Sequence, residues 1–373
     1  MPPLALNQEG IMKRRDFLRT AGTGLVASTV SAPAIAQSMP ELKWRLVASW
    51  PKSLDTLYGC CEEFSKRIAE ITDNKFQIQL FAAGEIVPGL GVLDAVQNGT
   101  VEMGHTAAYY FWGKDPSFGL ATAIPFGLNT RQQDAWQIRD NGIELLDPLF
   151  ADFGCYGLPM GNTCAQMGGW FRKEINTVAD LSGLKFRIGG FAGNVIKRLG
   201  VVPQSLAPGD IYPALEKGTL DAVEWIGPYD DEKLGFYKIA KYYYYPGWWE
   251  GGAHAHLLIN RAKWSTLSKS YQALITAAAR DAGMGMTTKY DYLNPPAMRR
   301  LLAKGTQLRG FSPEILEASF KAANETYAEI GAKNARFKKI LDSIMAFRNE
   351  SYSWWQVAEL PFDSFQIRML GRS

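Results

Sequence analysis

Four polar side chains in the middle of the chain are of the types that bind an anion and a cation together. Arg187 ends the segment LKFR before two glycines, and a guanidinium there offers two parallel donors to a carboxylate. Glu224 follows the mostly apolar run LDAV, so we expect its carboxylate to be at least partly buried and to need a cationic partner. The residue types leave open whether Arg187 binds a ligand, forms a salt bridge between lobes or lies on the surface. They also leave open whether Glu224 pairs with Arg187 or ligates a hard cation, for which Gln166 and backbone carbonyls would be further oxygen ligands. Gln166 and Glu250 complete the set of four side chains.

Two similar segments predict where such side chains meet. VLDAVQNGTVEMGHT begins at Val92 and IYPALEKGTLDAVEW at Ile211, an offset of 119 residues (211 − 92). Each is typical of a helix ended by glycine and followed by a short strand. Ligands of open α/β sheets bind at the carboxyl ends of strands, so residues 105–110 and 224–225 would face each other across a cleft. The alternative is a chance match of a common pattern.

The pattern around these segments predicts an α/β fold with largely parallel sheets in two lobes. A strand is expected near residues 44–50, a helix at 57–71 and a second strand at 76–81. The segments 154–171 and 241–259 are expected to cross between the lobes.

The last part of the chain is helical by its apolar spacing. Ser312 and Pro313 form a good helix start, and a second long helix is predicted over 334–348. The aromatic end of the chain around Trp354 and Phe362 predicts docking on its own lobe or on another subunit.

Composition argues against several other classes of protein. A net charge of +3 without a long basic run disfavours nucleic acid as a partner. Three histidines and four cysteines leave few ways to build a catalytic or transition-metal centre, and no G-x-S-x-G, HExxH or Walker sequence is present. His105 is best interpreted as a satisfied buried imidazole. One Cys155–Cys164 disulfide stays open as an alternative to free thiols.

The N-terminus predicts export. From Met12 it reads MKRRDFLRTAGTGLVASTVSAPAIAQ, with a twin arginine at 14–15 and small residues at Ala34 and Ala36 that fit an A-x-A cleavage site. Residues 1–36 are therefore expected to be a start-site extension plus a twin-arginine signal peptide, and the mature protein to lie in the periplasm.

The chain resembles the substrate-binding proteins of tripartite ATP-independent periplasmic (TRAP) transporters, and among them the branch that binds alpha-keto acids. The resemblance runs from Met12 to about Arg348 and is carried by long stretches such as WPKSLDTLYGC, FAAGEIVPGLGVLDAVQNGTVEMGHTAAYYFWGKDP and LDAVEWIGPYDDEKLGFYKIAKYYYYPGWWEGG. It implies a two-lobe periplasmic solute-binding protein, type II-like, with a hinge, an interlobe cleft and long C-terminal helices. No enzyme activity is expected.

The resemblance also implies roles for individual residues. An arginine at the position of Arg187 grips the substrate carboxylate in that family. Gln166, Glu224 and the backbone carbonyl of Trp225 hold a cation, either sodium or calcium, which the ligand bridges through a carboxylate and a 2-oxo oxygen. Many relatives that bind dicarboxylates carry Asn in place of Trp225, which favours a monocarboxylate such as pyruvate here. Besides Arg187 and Gln166, the residues expected near the substrate are Tyr109, Tyr110, Asn162 and Glu250.

The expected layout assigns 37–161 and 251–290 to the first lobe, and 162–250 and 291–333 to the second lobe. Residues 334–373 form a C-terminal helix and tail, a candidate element for a homodimer. The permease subunits of the transporter are the expected partners. The alternatives are another organic acid (a hydroxy acid, an aromatic or a sugar-derived carboxylate) and a cofactor-carrying periplasmic enzyme. We expect Arg187→Ala to abolish binding and to leave the melting temperature of the empty protein almost unchanged.

Overall fold

A computed structural model of the chain describes residues 40–371. The predicted signal peptide therefore lies outside the described residues. Within 40–371, no helix is both long and apolar enough to cross a membrane. All four cysteines are buried free thiols, so the Cys155–Cys164 disulfide is not formed.

The strands and helices of the described residues alternate along most of the chain. The strands are β1 (Leu42–Ala48), β2 (Phe76–Phe81), β3 (Met103–Thr106), β4 (Cys155–Asn162), β5 (Trp170–Phe171), β6 (Lys185–Arg187), β7 (Val202–Gln204), β8 (Ala222–Val223), β9 (Tyr242–Tyr245), β10 (His254–Asn260) and β11 (Gln307–Gly310). The α-helices are α1 (Leu57–Ile71), α2 (Val92–Gln97), α3 (Ser117–Thr122), α4 (Thr130–Arg139), α5 (Gly142–Asp152), α6 (Ala192–Lys197), α7 (Pro208–Glu216), α8 (Pro228–Leu234), α9 (Arg261–Thr266), α10 (Lys269–Ala303), α11 (Pro313–Lys333), α12 (Ala335–Trp355) and α13 (Glu359–Leu370).

The first sheet has the order β2-β1-β3-β10-β4. β1 pairs in parallel with β2 and β3, and β10 runs antiparallel to β3 and β4. Strand β2 shows why this sequence forms a half-covered strand: Phe76 and Ile78 are buried whereas Gln77 and Gln79 are exposed, an alternation with period two. Helix α1 covers this sheet with its apolar face, which includes Phe64 and Ile68.

The second sheet has the order β11-β9-β5-β8-β6-β7, with β5 antiparallel to both neighbours and the other pairs parallel. The predicted repeat is confirmed. Helix α2 leads through Gly99 (φ +71°) into β3 of the first sheet, and α7 leads through Gly218 (φ +74°) into β8 of the second. Both glycines adopt the left-handed conformation that ends a helix at low cost.

Two extended crossings join the sheets and lie side by side. The segment 163–169 leads from β4 to β5, and 246–253 leads back from β9 to β10. They exchange backbone hydrogen bonds: Thr163 N–H donates to Ala253 O (3.1 Å), Gln166 N–H to Glu250 O (3.2 Å) and Gly247 N–H to Gln166 O (3.1 Å). We call this pair of segments the hinge. Gly247 is needed there, because a Cβ would lie 2.4 Å from Gln166 O.

The long C-terminal helices predicted from the sequence are confirmed, together with the α/β class. Helix α11 begins as expected at Ser312, whose hydroxyl accepts a hydrogen bond from Ile315 N, with Pro313 as first helical residue. Asn334 caps α12 in the same way, and α12 continues to Trp355 rather than ending near residue 348. The lobe boundaries given above stay a prediction.

Candidate functional site

Strand pairing brings Arg187 and Glu224 together at one edge of the second sheet. β6 and β8 are parallel neighbours, with Arg187 opposite Val223, and Glu224 N–H donates to Arg187 O (3.1 Å). The carboxyl ends of parallel strands meet at the same sheet edge, so each strand delivers its last polar residue to one place. Both side chains are 1% exposed.

The two side chains form an ion pair that uses only part of each group. Arg187 Nη1 donates to Glu224 Oε1 (2.6 Å) and to the Glu224 carbonyl (2.6 Å), and Gly189 N–H donates to the same Oε1 (2.8 Å). Arg187 Nη2 and Glu224 Oε2 are buried and have no hydrogen-bond partner. Buried polar atoms without partners are rare and costly. This pair therefore presents one free donor for an anion and one free acceptor for a cation.

Gln166 supplies a second free oxygen from the hinge. Its Nε2 donates to Thr163 Oγ1 (2.9 Å), and its Oε1 is buried without a hydrogen-bond partner. Gln166, Thr163 and Trp225 all line one small cavity. The oxygens of Gln166 and Glu224, with the nearby Trp225 carbonyl, are the donors that sodium and calcium prefer, so these residues fit a hard cation.

The charge balance around the pair also favours a cation. Burial raises the pKa of Glu224, although Arg187 and Gly189 N–H oppose that rise. Burial, and next the charge of Glu224, raise the pKa of Glu250 well above its usual range. Two buried carboxyl groups thus share one guanidinium. Within 40–371, no cluster of three or more His, Cys, Asp or Glu side chains could hold a metal, so such a cation would rely on amide and carbonyl oxygens beside Glu224.

Tyr109 and Tyr110 reach the same cavity from the first sheet. The Tyr109 ring lies directly against Gly189 and Gly190, which follow β6 of the second sheet, and a Cβ there would be 2.4 and 1.6 Å from ring atoms. The Tyr110 hydroxyl is buried without a partner, and burial raises its pKa, so it is a neutral donor. These tyrosines therefore lie close to the end of the strand that carries Arg187.

Asn162 does not line this cavity, and neither do Arg187, Glu224 and Glu250. Its Nδ2 donates to Gln133 Oε1 (2.8 Å), and its Oδ1 accepts from Thr130 Oγ1 (3.2 Å) and Cys164 N–H (3.0 Å). The side chain instead lines a wider groove of about 400 Å³ between α4 and α10. That groove is lined by none of Gln166, Trp225, Tyr109 and Tyr110, whereas the smaller cavity is lined by all four, so the smaller cavity is the better candidate site. A substrate contact by Asn162 stays a prediction.

Trp50 lines the cavity and was missed in the sequence. Its Nε1 donates to His105 Nδ1 (2.9 Å), and His105 Nε2 lies 2.9 Å from Met160 O. The interpretation of His105 as a satisfied buried imidazole is confirmed, and burial lowers its pKa to about 4. Trp50 comes two residues after β1. The rule that ligands bind at the carboxyl ends of strands, which pointed to Glu224, could therefore have pointed to Trp50 as well.

Comparisons with known proteins show the family of this chain. Residues 47–334 match the DctP family, described as bacterial extracellular solute-binding protein, family 7. The monocarboxylate 2-oxoacid-binding periplasmic protein of Nostoc sp. is 48% identical over 360 residues, which cover 95% of this chain and 99% of that protein.

Two solved structures of TRAP solute-binding proteins are similar over most of their length. The protein from Bordetella bronchiseptica is 46% identical, with a TM-score of 0.88 over 89% of this chain and 99% of that one. It is a mixed-occupancy dimer with copurified calcium and picolinate in one site and the other site empty. The protein from Pseudoalteromonas atlantica, 35% identical, has a TM-score of 0.85 over 87% and 99% of the two chains, and it holds sodium and pyruvate. The resemblance seen in the sequence is thus confirmed, and the chain belongs to the DctP family of bacterial extracellular solute-binding proteins.

Proposed function

We propose that this chain is the solute receptor of a TRAP transporter that binds a small 2-oxo monocarboxylate, such as pyruvate, together with sodium or calcium. The observation that carries the proposal is the half-used buried ion pair, which leaves Arg187 Nη2 and Glu224 Oε2 without partners. A 2-oxo acid has matching chemistry, because its carboxylate accepts from a guanidinium while a carboxylate oxygen and the ketone chelate a hard cation. The ligands named for the relatives above support this class.

In this proposal each residue has a defined role. Arg187 Nη2 donates to the ligand carboxylate, and Gln166, Glu224 and the Trp225 carbonyl hold the cation. The bound cation supplies a positive charge to the two ligand oxygens. Tyr109 and Tyr110 close over the ligand and exclude water, which strengthens the Arg187 contact. Glu250 is placed beside the ligand, where burial and the charge of Glu224 raise its pKa and favour its neutral form.

A binding screen tests the proposal. Pyruvate with sodium or calcium is expected to raise the melting temperature of the purified protein, because a ligand that binds only the native state stabilises it by mass action. Lactate and succinate serve as the hydroxy-acid and dicarboxylate comparisons, and calorimetry then gives the dissociation constants. A larger shift with succinate, or no shift with any 2-oxo acid, would contradict the proposed ligand class.

Gly190→Ala is expected to weaken pyruvate binding at least about tenfold. A Cβ on Gly190 would lie 1.6 Å from Tyr109 Cδ2, so the halves could not close in this arrangement. Gly183→Ala is the matched control: Gly183 also has a positive φ (+75°), but nothing lies within 4 Å of its Cβ position. Calorimetry measures the pyruvate affinity, and small-angle scattering measures closure as a decrease in the radius of gyration. Equal affinity in both variants would contradict the role of this contact.

In the proposed function, the protein is exported to the periplasm by the twin-arginine route. There it delivers the bound ligand to the permease subunits of the transporter. The relative from Nostoc is a periplasmic protein, which supports the location. The twin arginines at 14–15 support the route.

We also propose that the chain forms a homodimer through α13, the turn before it and the end of α12. These residues expose apolar side chains at Trp354, Val357, Leu360, Phe362, Phe365 and Ile367. An apolar surface of this extent on a helix is typical of a contact with another chain, and the similar protein from Bordetella bronchiseptica is a dimer.

Removal of residues 358–373 is expected to convert the dimer to a monomer and to leave pyruvate affinity within about threefold, since none of the residues 358–371 lines the cavity. Light scattering after size-exclusion chromatography gives the mass. Phe365→Asp should act like the truncation, whereas Asp363→Ala on the same helix should not. A full-length protein that is monomeric would contradict the dimer.

A further inference from the structure

Helix α8 carries two adjacent buried carboxylates that bind different parts of the protein. Asp231 accepts from Trp170 Nε1 (3.0 Å) and Tyr243 OH (2.7 Å), which belong to the second sheet. Asp230 faces the other way and accepts from Thr56 Oγ1 (2.9 and 3.0 Å to its two oxygens) and from Tyr290 OH (2.7 Å). Asp231 therefore fixes α8 to its own sheet, whereas Asp230 reaches out of that lobe.

The partners of Asp230 belong to the first lobe and to the helix shared by both halves. Thr56 immediately precedes α1, the helix that covers the first sheet. Tyr290 lies on α10, which packs against α1 and β4 at one end and against α8 at the other. Thr56, Asp230 and Tyr290 are each no more than 1% exposed. Opening of the cleft would separate Thr56 from Asp230 and expose a carboxylate that the closed form satisfies.

Helix α8 is also joined to the candidate cation site. Pro228 begins α8 three residues after Trp225, and Ile226 N–H between them donates to Asp231 Oδ1 (3.2 Å). The segment that carries Glu224 and Trp225 and the helix that carries Asp230 are thus held together. Movement of one relative to the first lobe moves the other as well.

We infer that Thr56, Asp230 and Tyr290 form a closure latch, which holds the two halves together at a point that the ligand does not touch. The inference rests on the proposed function in one respect, that ligand binding and closure are coupled. A contact made only in the closed state adds to ligand affinity by shifting the equilibrium between open and closed forms. Asp230 is thus a positioning residue that acts through closure.

The more exposed contacts nearby are not the main part of the latch. Asp55 accepts from Tyr229 OH (3.0 Å) and pairs with Lys233 and, at 3.3 Å, with Lys289. These charged side chains are 30–41% exposed, and exposed ion pairs contribute little to stability. The buried hydrogen bonds to an ionised carboxylate are the stronger contacts.

The test compares two threonines that differ in what they join. Thr56→Val keeps the size of the side chain and removes the donor to Asp230, so we expect the pyruvate dissociation constant to rise about tenfold to hundredfold. Thr72→Val is the control: Thr72 is equally buried, but its hydroxyl bonds Ile68 O (2.7 Å) and Phe76 N–H (3.0 Å) within the first lobe. The control should lower the melting temperature of the ligand-free protein and leave the affinity within about threefold.

Asp230→Asn and the double variant Thr56→Val/Asp230→Asn complete the experiment. The double variant should bind pyruvate no more weakly than the single variant that has the larger loss of affinity, because both changes remove the same contact. Burial raises the pKa of Asp230 to about 6, so binding is measured well above that pH. Wild-type affinity in both single variants would overturn the latch.

Failure of the proposed function gives a different result. Wild-type protein that binds no 2-oxo acid with either cation would overturn the ligand class and not the latch. Small-angle scattering of the ligand-free proteins then decides the latch. A larger radius of gyration in Thr56→Val than in Thr72→Val supports it, and equal radii overturn it.

Discussion

Arg187→Ala is expected to weaken pyruvate binding at least roughly 100-fold, because a buried charged donor to the ligand is lost and Glu224 is left unpaired. Calorimetry with pyruvate and saturating cation measures the effect. Arg67→Ala is the control, since Arg67 is 48% exposed and pairs with Asp281 on the surface. Pyruvate affinity within a few-fold of wild type in Arg187→Ala would show that this residue is not the anchor.

The same substitution is also expected to destabilise the ligand-free protein, which corrects the expectation drawn from the sequence. Arg187 and Glu224 are both 1% exposed, and removing one partner of a buried pair costs about 3–5 kcal/mol. Thermal denaturation without ligand should therefore show a clear drop. Arg187→Lys separates the two effects, because it keeps the charge near Glu224 and loses the two-pronged contact with the carboxylate.

Glu224→Gln is expected to remove the cation dependence of pyruvate binding. The amide is the same size and can still accept from Arg187 Nη1 and Gly189 N–H through one oxygen, but it places N–H donors where the free Oε2 lies. In wild type, depletion of sodium and calcium should lower pyruvate affinity by roughly 100-fold, because the chelating ion is lost. In the variant the affinity should be low with or without the ions.

Titrations in choline buffer with a chelator, followed by addition of sodium or calcium, measure this dependence. Glu317→Gln provides the control, because Glu317 is exposed and distant in sequence from the site. A Glu224→Gln variant that still gained affinity on addition of either ion would exclude Glu224 as a cation ligand.

Local sequence patterns predicted the elements that position the site. The repeated helix-glycine-strand pattern led to Glu224 and Trp225 on one side and to Tyr109 and Tyr110 on the other, because strand ends in two similar units have equivalent positions. Trp225, Tyr109 and Tyr110 do line one cavity. The same rule applied to β1 would have added Trp50.

Side-chain partners could not be predicted in the same way. The pairing of Arg187 Nη1 with one oxygen of Glu224, which leaves the other oxygen free, depends on rotamers chosen by packing across three strands. The location of the Asn162 side chain also depends on packing between distant parts of the chain. Asn162 ends β4, and its amide donates to Gln133 of α4, which lies 29 residues earlier in the sequence.

The hinge contains one of the proposed cation ligands, and this limits how the receptor can be engineered. Gln166 offers its side-chain oxygen to the cavity while its backbone holds the two crossings together through Glu250 and Gly247. In the proposed function, ion preference and the stiffness of the hinge therefore depend on the same few residues. In a fluorescent sensor built on this scaffold, changes of ligand range at Tyr109 and Tyr110 would therefore disturb the hinge less than a redesign of metal selectivity at Gln166.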